Sequence, residues 1–287
     1  MKAPAKKESI TTDQYFERWI EGKKLSVKSS TIQVYKNCYE LYISPVIGSM
    51  PLADITRRHI IQIQCESTQK LCPSTNNNVL RILKIMLNEA VVDRMISESP
   101  AAGVKSIKVT ERASETYHRA LTKTEQRQFM NVAKGNFYYE LLAFQLLTGM
   151  RLGEVGALYW SDIDEEKNVI HVRRTITRTE DGVYYIGDSP KSGASYRDIP
   201  MNDAIKALLR RQREKQKNLF QQKKKNQHHL YQYEKMCFTS SKGQMVNHGS
   251  VNRNIRKILS GLQEQGIVIE PFTSHALRDT FATRYIE

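Results

Sequence analysis

Through the first hundred residues the apolar positions recur every three or four residues, the spacing that gathers them on one face of an α-helix. Tyr15, Phe16, Trp19 and Ile20 form such a face behind Thr12, whose hydroxyl can cap a helix start. Ile32, Tyr35, Tyr39 and Tyr42 form a second after Ser29-Ser30-Thr31. The longest stripe follows Pro73-Ser74, where Val79, Ile82, Leu83, Met86, Leu87 and Ala90 continue without a break. Pro45 and Gly48 are expected to end the second helix, and Ser99-Pro100 to close the segment. The pattern predicts a helical bundle over residues 12–100, preceded by a basic stub at 1–11. Residues 101–119 lack apolar periodicity and carry Lys105, Lys108, Glu111 and Arg112, which reads as an extended, solvated linker.

From residue 120 the pattern changes. Leu121-Thr122-Lys123-Thr124-Glu125 is a capping sequence ahead of a helix bearing Phe129, Met130 and Ala133. The run 140–148 is almost wholly apolar and predicts a buried helix, after which Gly149 supplies a turn. Three short β-like runs follow, at 169–172, 183–186 and 197–200, with Asp181-Gly182 and Ser192-Gly193 as turn signals. They predict a small three-stranded antiparallel sheet. Helices resume near Asp203, near Ser250, where Val251, Ile255, Ile258, Leu259 and Leu262 form a stripe, and near His275. Residues 210–235 read as a helix end and a solvated loop. The expected fold is therefore α+β and mainly helical, a helical domain followed by a mixed domain over 120–287.

The 287 residues, 40% of them hydrophobic, suffice for two cores. No run of about 18 apolar residues is present to span a bilayer, and the polar start Met1-Lys2-Ala3-Pro4-Ala5-Lys6-Lys7 lacks the apolar segment of a secretory signal. A cytoplasmic protein without a membrane partner is expected. Cys38, Cys65, Cys72 and Cys237 form no C-x-x-C pair, so they read as packed or idle thiols rather than disulfide or zinc ligands. His228-His229 has no carboxylate or cysteine at ligand spacing, and no metal site is expected. The formal charge is +14, with 18 basic against 12 acidic residues up to Arg119 and 26 against 18 beyond it. An excess in both halves favours two domains gripping one polyanion over a single domain with a basic tail. The linker either crosses the polyanion's backbone or serves as a tether.

Two local frames carry the chemistry. Leu147-Thr148-Gly149-Met150-Arg151-Leu152-Gly153-Glu154-Val155 and, far downstream, Thr273-Ser274-His275-Ala276-Leu277-Arg278-Asp279-Thr280-Phe281 each present an arginine with a helper on the same helical face, Glu154 and His275. A guanidinium stays protonated and donates two parallel hydrogen bonds, which suits it to a phosphate. A lone arginine reads as a surface ion pair; two in paired frames read as a clamp.

In this order and at this separation the frames resemble the active-site signature of the tyrosine recombinases, the phage-integrase family, over nearly the whole chain. The resemblance implies a C-shaped clamp on double-stranded DNA that cleaves and rejoins strands through a 3′-phosphotyrosine, as a homo-tetramer on synapsed DNA, without cofactor, and with an accessory excision factor as a further partner. It assigns Arg151 and Arg278 to the phosphate, Glu154 to orienting Arg151, and His275 to bonding the phosphate or exchanging a proton with the attacking hydroxyl. Lys191, on the turn before Arg197-Asp198-Ile199-Pro200, becomes either the donor to the leaving oxygen or a backbone-phosphate contact. In the first domain, helices starting near Ser29 and Ser74 correspond to those laid in the major groove, making Lys28, Ser30, Lys36, Asn76, Asn77 and Arg81 candidate DNA contacts. The family's last histidine or tryptophan and its nucleophilic tyrosine are expected beyond Glu287, so these 287 residues should bind DNA without cutting it. Tyr285, about 10 Å along one helix from Arg278, is assigned to packing. The rival readings are a non-catalytic DNA-binding regulator and a metal-dependent transposase, whose carboxylate cluster is not evident in the sequence.

Overall fold

The computed structural model describes residues 10–108, 119–179, 182–187, 196–223 and 232–286. Lys191, the Ser192-Gly193 turn and His228-His229 lie outside them. The chain is mainly helical with small antiparallel sheets, and divides into two compact units: Met1–Thr110 with Arg178–Gly182, and Glu111–Thr177 with Val183–Glu287.

The first unit is built on α1 (Thr12–Lys24), α2 (Ser29–Cys38), α3 (Ser44–Ile47), α4 (Arg57–Thr68) and α5 (Pro73–Val92). Thr11, one residue before the cap expected from sequence, caps α1 reciprocally with Gln14. Thr12 is instead buried, its hydroxyl donating to Met50 O at 3.0 Å. The four predicted residues of α1 face inward, and Phe16 stacks on Tyr39 with ring centroids 3.6 Å apart. Pro45 does not break the second helix. A π-turn at Tyr39–Ile43 shifts the hydrogen-bond register, and Pro45 then sits in the first turn of α3, where its missing N–H is not needed. Residues 101–108 are not the extended, solvated linker expected from the sequence. Ala101 and Val104 are buried in this unit's core, Lys84 Nζ donates to Val104 O at 2.6 Å, and Gln64 Nε2 to Lys105 O at 3.1 Å. Two buried apolar side chains in eight residues are too few to register as periodicity, yet they fasten 101–108 to the core of this unit.

The second unit comprises α6 (Lys123–Ala133), α7 (Tyr139–Thr148), α8 (Leu152–Gly156), β1 (Ile163–Asp164), β2 (Val169–Val172), all but the last residue of β3 (Thr175–Arg178), β4 (Tyr184–Gly187), β5 (Arg197–Pro200), α9 (Asp203–Lys223), α10 (His248–Glu264) and α11 (Ser274–Ile286). A three-stranded antiparallel sheet exists, in the order β1-β2-β5 with Ile170 opposite Ile199 and His171 opposite Asp198. The run expected as its middle strand is not in it: β4 pairs with β3 in a separate two-stranded sheet. The split falls at Arg173-Arg174. Arg174 Nη2 binds both Asp162 oxygens, at 2.5 and 2.6 Å, and the guanidinium lies 4.2 Å from the Tyr159 ring centre. That tether ends β2 and lets the chain restart as β3. Leu141, Leu142 and Phe144 of α7 anchor a core shared with Phe238, Ile255, Ile258 and Leu277.

Candidate active site

Arg151 is delivered by the end of α7. Gly149 closes that helix in the left-handed region, φ 61°, and its N–H donates to Gln145 O at 2.9 Å. A side chain at 149 would meet the Phe281 ring of α11, so the glycine permits both the turn and the close approach of that helix. Arg151 follows in extended conformation as the residue before α8.

Glu154, one turn into α8, is 2% exposed and receives four hydrogen bonds. Arg151 N donates at 2.9 Å and Arg151 Nη1 at 3.0 Å; Arg197 closes a fork from β5, Nη2 to Oε2 at 2.8 Å and Nη1 to Oε1 at 3.2 Å. Burial alone would raise this carboxyl, but the Arg197 fork, the Arg151 backbone N–H and the Arg151 guanidinium outweigh it and hold Glu154 below the usual carboxylate range. The Arg151 side chain keeps 52% of its surface open, so a ligand can reach the guanidinium.

Arg278 comes from α11 and donates through Nη1 to Gly149 O, which places it beside the strand-like turn that carries Arg151. Burial and then the charge of Arg151 lower its proton affinity, so the two cations lie within electrostatic reach of each other. His275, one turn earlier and half exposed, has Nε2 3.9 Å from Asp279 Oδ1. Asn252 Oδ1 accepts the Ser274 N–H at 3.0 Å and ties α11's first turn to α10. His248 lies four residues before Asn252, hence on the same face of α10. It keeps contact with solvent, yet packing around the ring and the neighbouring His275 lower its proton affinity.

Arg151, Glu154 and Arg278 are thus brought together in one unit, with His275 one turn from Arg278. Arg197 and His248 were not singled out from sequence as site residues. Arg197 did leave a signal: it alternates with Ile199 on the half-buried face of β5, where a guanidinium needs a partner. His248 left none beyond the capping Asn247 ahead of it. Tyr285, expected to pack, stacks against Phe281 yet is 83% exposed, and α11 carries it and Arg278 together.

The six candidates in the first unit separate into two groups. Asn76 is 1% exposed, and its amide donates to Gln64 O, Ser67 Oγ and Thr68 Oγ1, stapling α5 to α4; it is unavailable to a base edge. Asn77 exchanges two 2.8 Å hydrogen bonds with the Ile107 backbone, so its amide is engaged too. Lys28 and Arg81 are exposed, Ser30 and Lys36 half-buried, and Arg81 is held by Asn78 Oδ1 at 2.8 Å. The thiols also differ. Cys38 and Cys237 are buried, as packed thiols should be, whereas Cys72 at the start of α5 is exposed, and hydrogen bonds from Ser74 and Thr75 bring it down to about 7. Among the described residues no grouping of three or more His, Cys, Asp or Glu is placed to hold a metal ion, and no helix is long and apolar enough to cross a membrane.

The phage integrase family model matches residues 119–287, more than half of the chain, and the N-terminal SAM-like domain of phage integrases matches 11–66. The chain belongs to the phage integrase family. Among its tyrosine recombinase relatives is a XerC-like recombinase of Caldanaerobacter subterraneus subsp. tengcongensis, 26% identical over 98% of this chain and 73% of that protein. The ICEBs1 integrase of Bacillus subtilis is 24% identical over 75% of this chain, which spans 58% of that protein. The transposase from transposon Tn916 of Enterococcus faecalis is 25% identical over 74% of this chain and 51% of its own length. In fold, this integrase-family chain is similar to the Tn1549 transposon integrase in complex with circular intermediate DNA, at TM-score 0.75 and 22% identity, covering 97% of this chain and 87% of that one. It is likewise similar to the lambda integrase tetramer bound to a Holliday junction, at TM-score 0.70 and 18% identity, covering 97% and 71%.

Proposed function

We propose that this protein is a site-specific DNA recombinase of the mobile-element integrase kind, which cuts and rejoins strands through a 3′-phosphotyrosine while assembled as a tetramer on synapsed DNA. The observation that carries the reading is the meeting of Arg151 and Arg278 at Gly149, with Glu154 bonded to Arg151. Phosphoryl transfer to a hydroxyl concentrates negative charge on the non-bridging oxygens, and two preorganised guanidinia are suited to receive it. Family membership and the DNA complexes of the Tn1549 and lambda integrases support the choice of substrate.

The roles are those that the resemblance to the family implies. Arg151 and Arg278 bind the scissile phosphate, His275 donates to it or relays the proton of the attacking hydroxyl, and Glu154 orients Arg151. Lys191 protonates the leaving 5′-oxygen. Lys28, Ser30, Lys36 and Arg81 hold the backbone or read base edges from the first unit; Asn76 and Asn77 are withdrawn from that set.

The test has two steps. Duplexes enriched from a randomised library by this protein supply a nicked substrate, and a cleavage-competent form of the protein is then examined on a denaturing gel. A covalent protein–DNA adduct is expected; it should form slowly with Lys191→Ala and be restored on a substrate with a 5′-bridging sulfur, whose departure needs no proton. Enrichment without an adduct from any form of the protein would favour a DNA-binding regulator, and no enrichment would overturn the reading.

A further inference from the structure

Glu154 has two cationic partners where one would satisfy its charge. The pair Arg151–Glu154 by itself would be neutral, and a buried carboxylate with a single partner would draw that guanidinium inward with all the donors it can offer. The geometry is different. Arg197 gives Glu154 a two-pronged fork at 2.8 and 3.2 Å, while Arg151 spends one backbone N–H and one guanidinium nitrogen and keeps half its surface open. Arg151, Arg197 and Arg278 here face two carboxylates, Glu154 and Asp279, so the cluster keeps a positive excess.

We propose that Arg197 is a positioning residue that takes up the charge of Glu154, so that the remaining guanidinium donors of Arg151 stay available to a phosphate. This rests on the recombinase reading and assigns to that site a residue that does not itself touch the substrate. Its place on β5, one residue from the His171–Asp198 pair at 2.7 Å, makes the fork part of the sheet, hence rigid.

Inorganic phosphate is the probe, titrated into the 287-residue protein and followed at the side-chain N–H of Arg151 by NMR, which isolates this site from other basic ones. Arg151→Ala, read at Arg278, should weaken phosphate binding; if it does not, the phosphate-clamp reading itself is wrong. Arg197→Gln should weaken binding about tenfold, the scale expected when one member of a coupled charged network is removed, and Arg197→Lys less. The decisive comparison uses Glu154→Gln, in which there is no buried charge to take up. In that background the further change Arg197→Gln should leave phosphate affinity unaltered, within about twofold. This pair also stands in for Arg197→Gln should that variant alone fail to fold. An equal loss from Arg197→Gln with and without Glu154, or no loss in either, would overturn the proposal while leaving the Arg151 result intact.

Discussion

In a cleavage-competent protein, Arg151→Ala or Arg278→Ala is expected to slow strand cleavage by roughly 100- to 1,000-fold, the scale of removing one preorganised donor from a developing oxyanion. Duplex affinity should change only a few-fold. The asymmetry has a physical cause: the phosphate diester carries one negative charge in the ground state, and the pentavalent transition state adds more, so hydrogen bonds from the two guanidinia gain most of their strength after binding. Arg278 has a second task, since its Nη1 also fastens Gly149 O, and its loss should loosen the turn that presents Arg151. Single-turnover cleavage and equilibrium binding, measured on one substrate, check this. Affinity falling in parallel with cleavage would mean that both arginines merely grip the backbone.

Glu154→Ala is expected to destabilise the fold by about 1–3 kcal/mol, because it removes the shared, buried acceptor of two guanidinia that solvent reaches only in part. Glu154→Gln should cost less, since an amide oxygen still accepts from the Arg151 backbone and one guanidinium. The effect has a pH signature with a definite sign. Glu154 is held below its ordinary value of 4.5, so its contribution is fully present at pH above that value and is lost as pH falls through the lower, folded value. Denaturant midpoints of wild type and Glu154→Ala should therefore converge in acid and stay apart near neutrality. A gap that does not narrow below the ordinary carboxylate range would show that Glu154 contributes through packing and not as an ionised partner.

Some of this could be read from the residues and some could not, for reasons that differ by site. The stripe from Val79 to Ala90 and the apolar run ending at Thr148 predict their helices because burial demands periodicity, and periodicity is visible in one dimension. The arginine frames are legible because each pairs two residues within a single turn. Long-range exchanges are not. Nothing local says that Asn76 would spend its amide on α4, that Arg174 would close on Asp162, or that Arg197 would reach Glu154 across 43 positions. The fastening of 101–108 was hidden for a related reason, since Ala101 and Val104 contribute burial without a repeat. Cys72 shows the opposite limit: its hydrogen bonds to Ser74 and Thr75 are entirely local, but only the start of α5 at Pro73 makes them simultaneous.

We propose a recombinase that grips DNA phosphates with both halves of the chain, each of which carries a basic excess. This is tested most directly by the salt dependence of duplex binding in a mobility-shift titration. With about six phosphates neutralised, the slope of log affinity against log salt concentration should be near −5 for double-stranded DNA. A flat dependence would contradict the account.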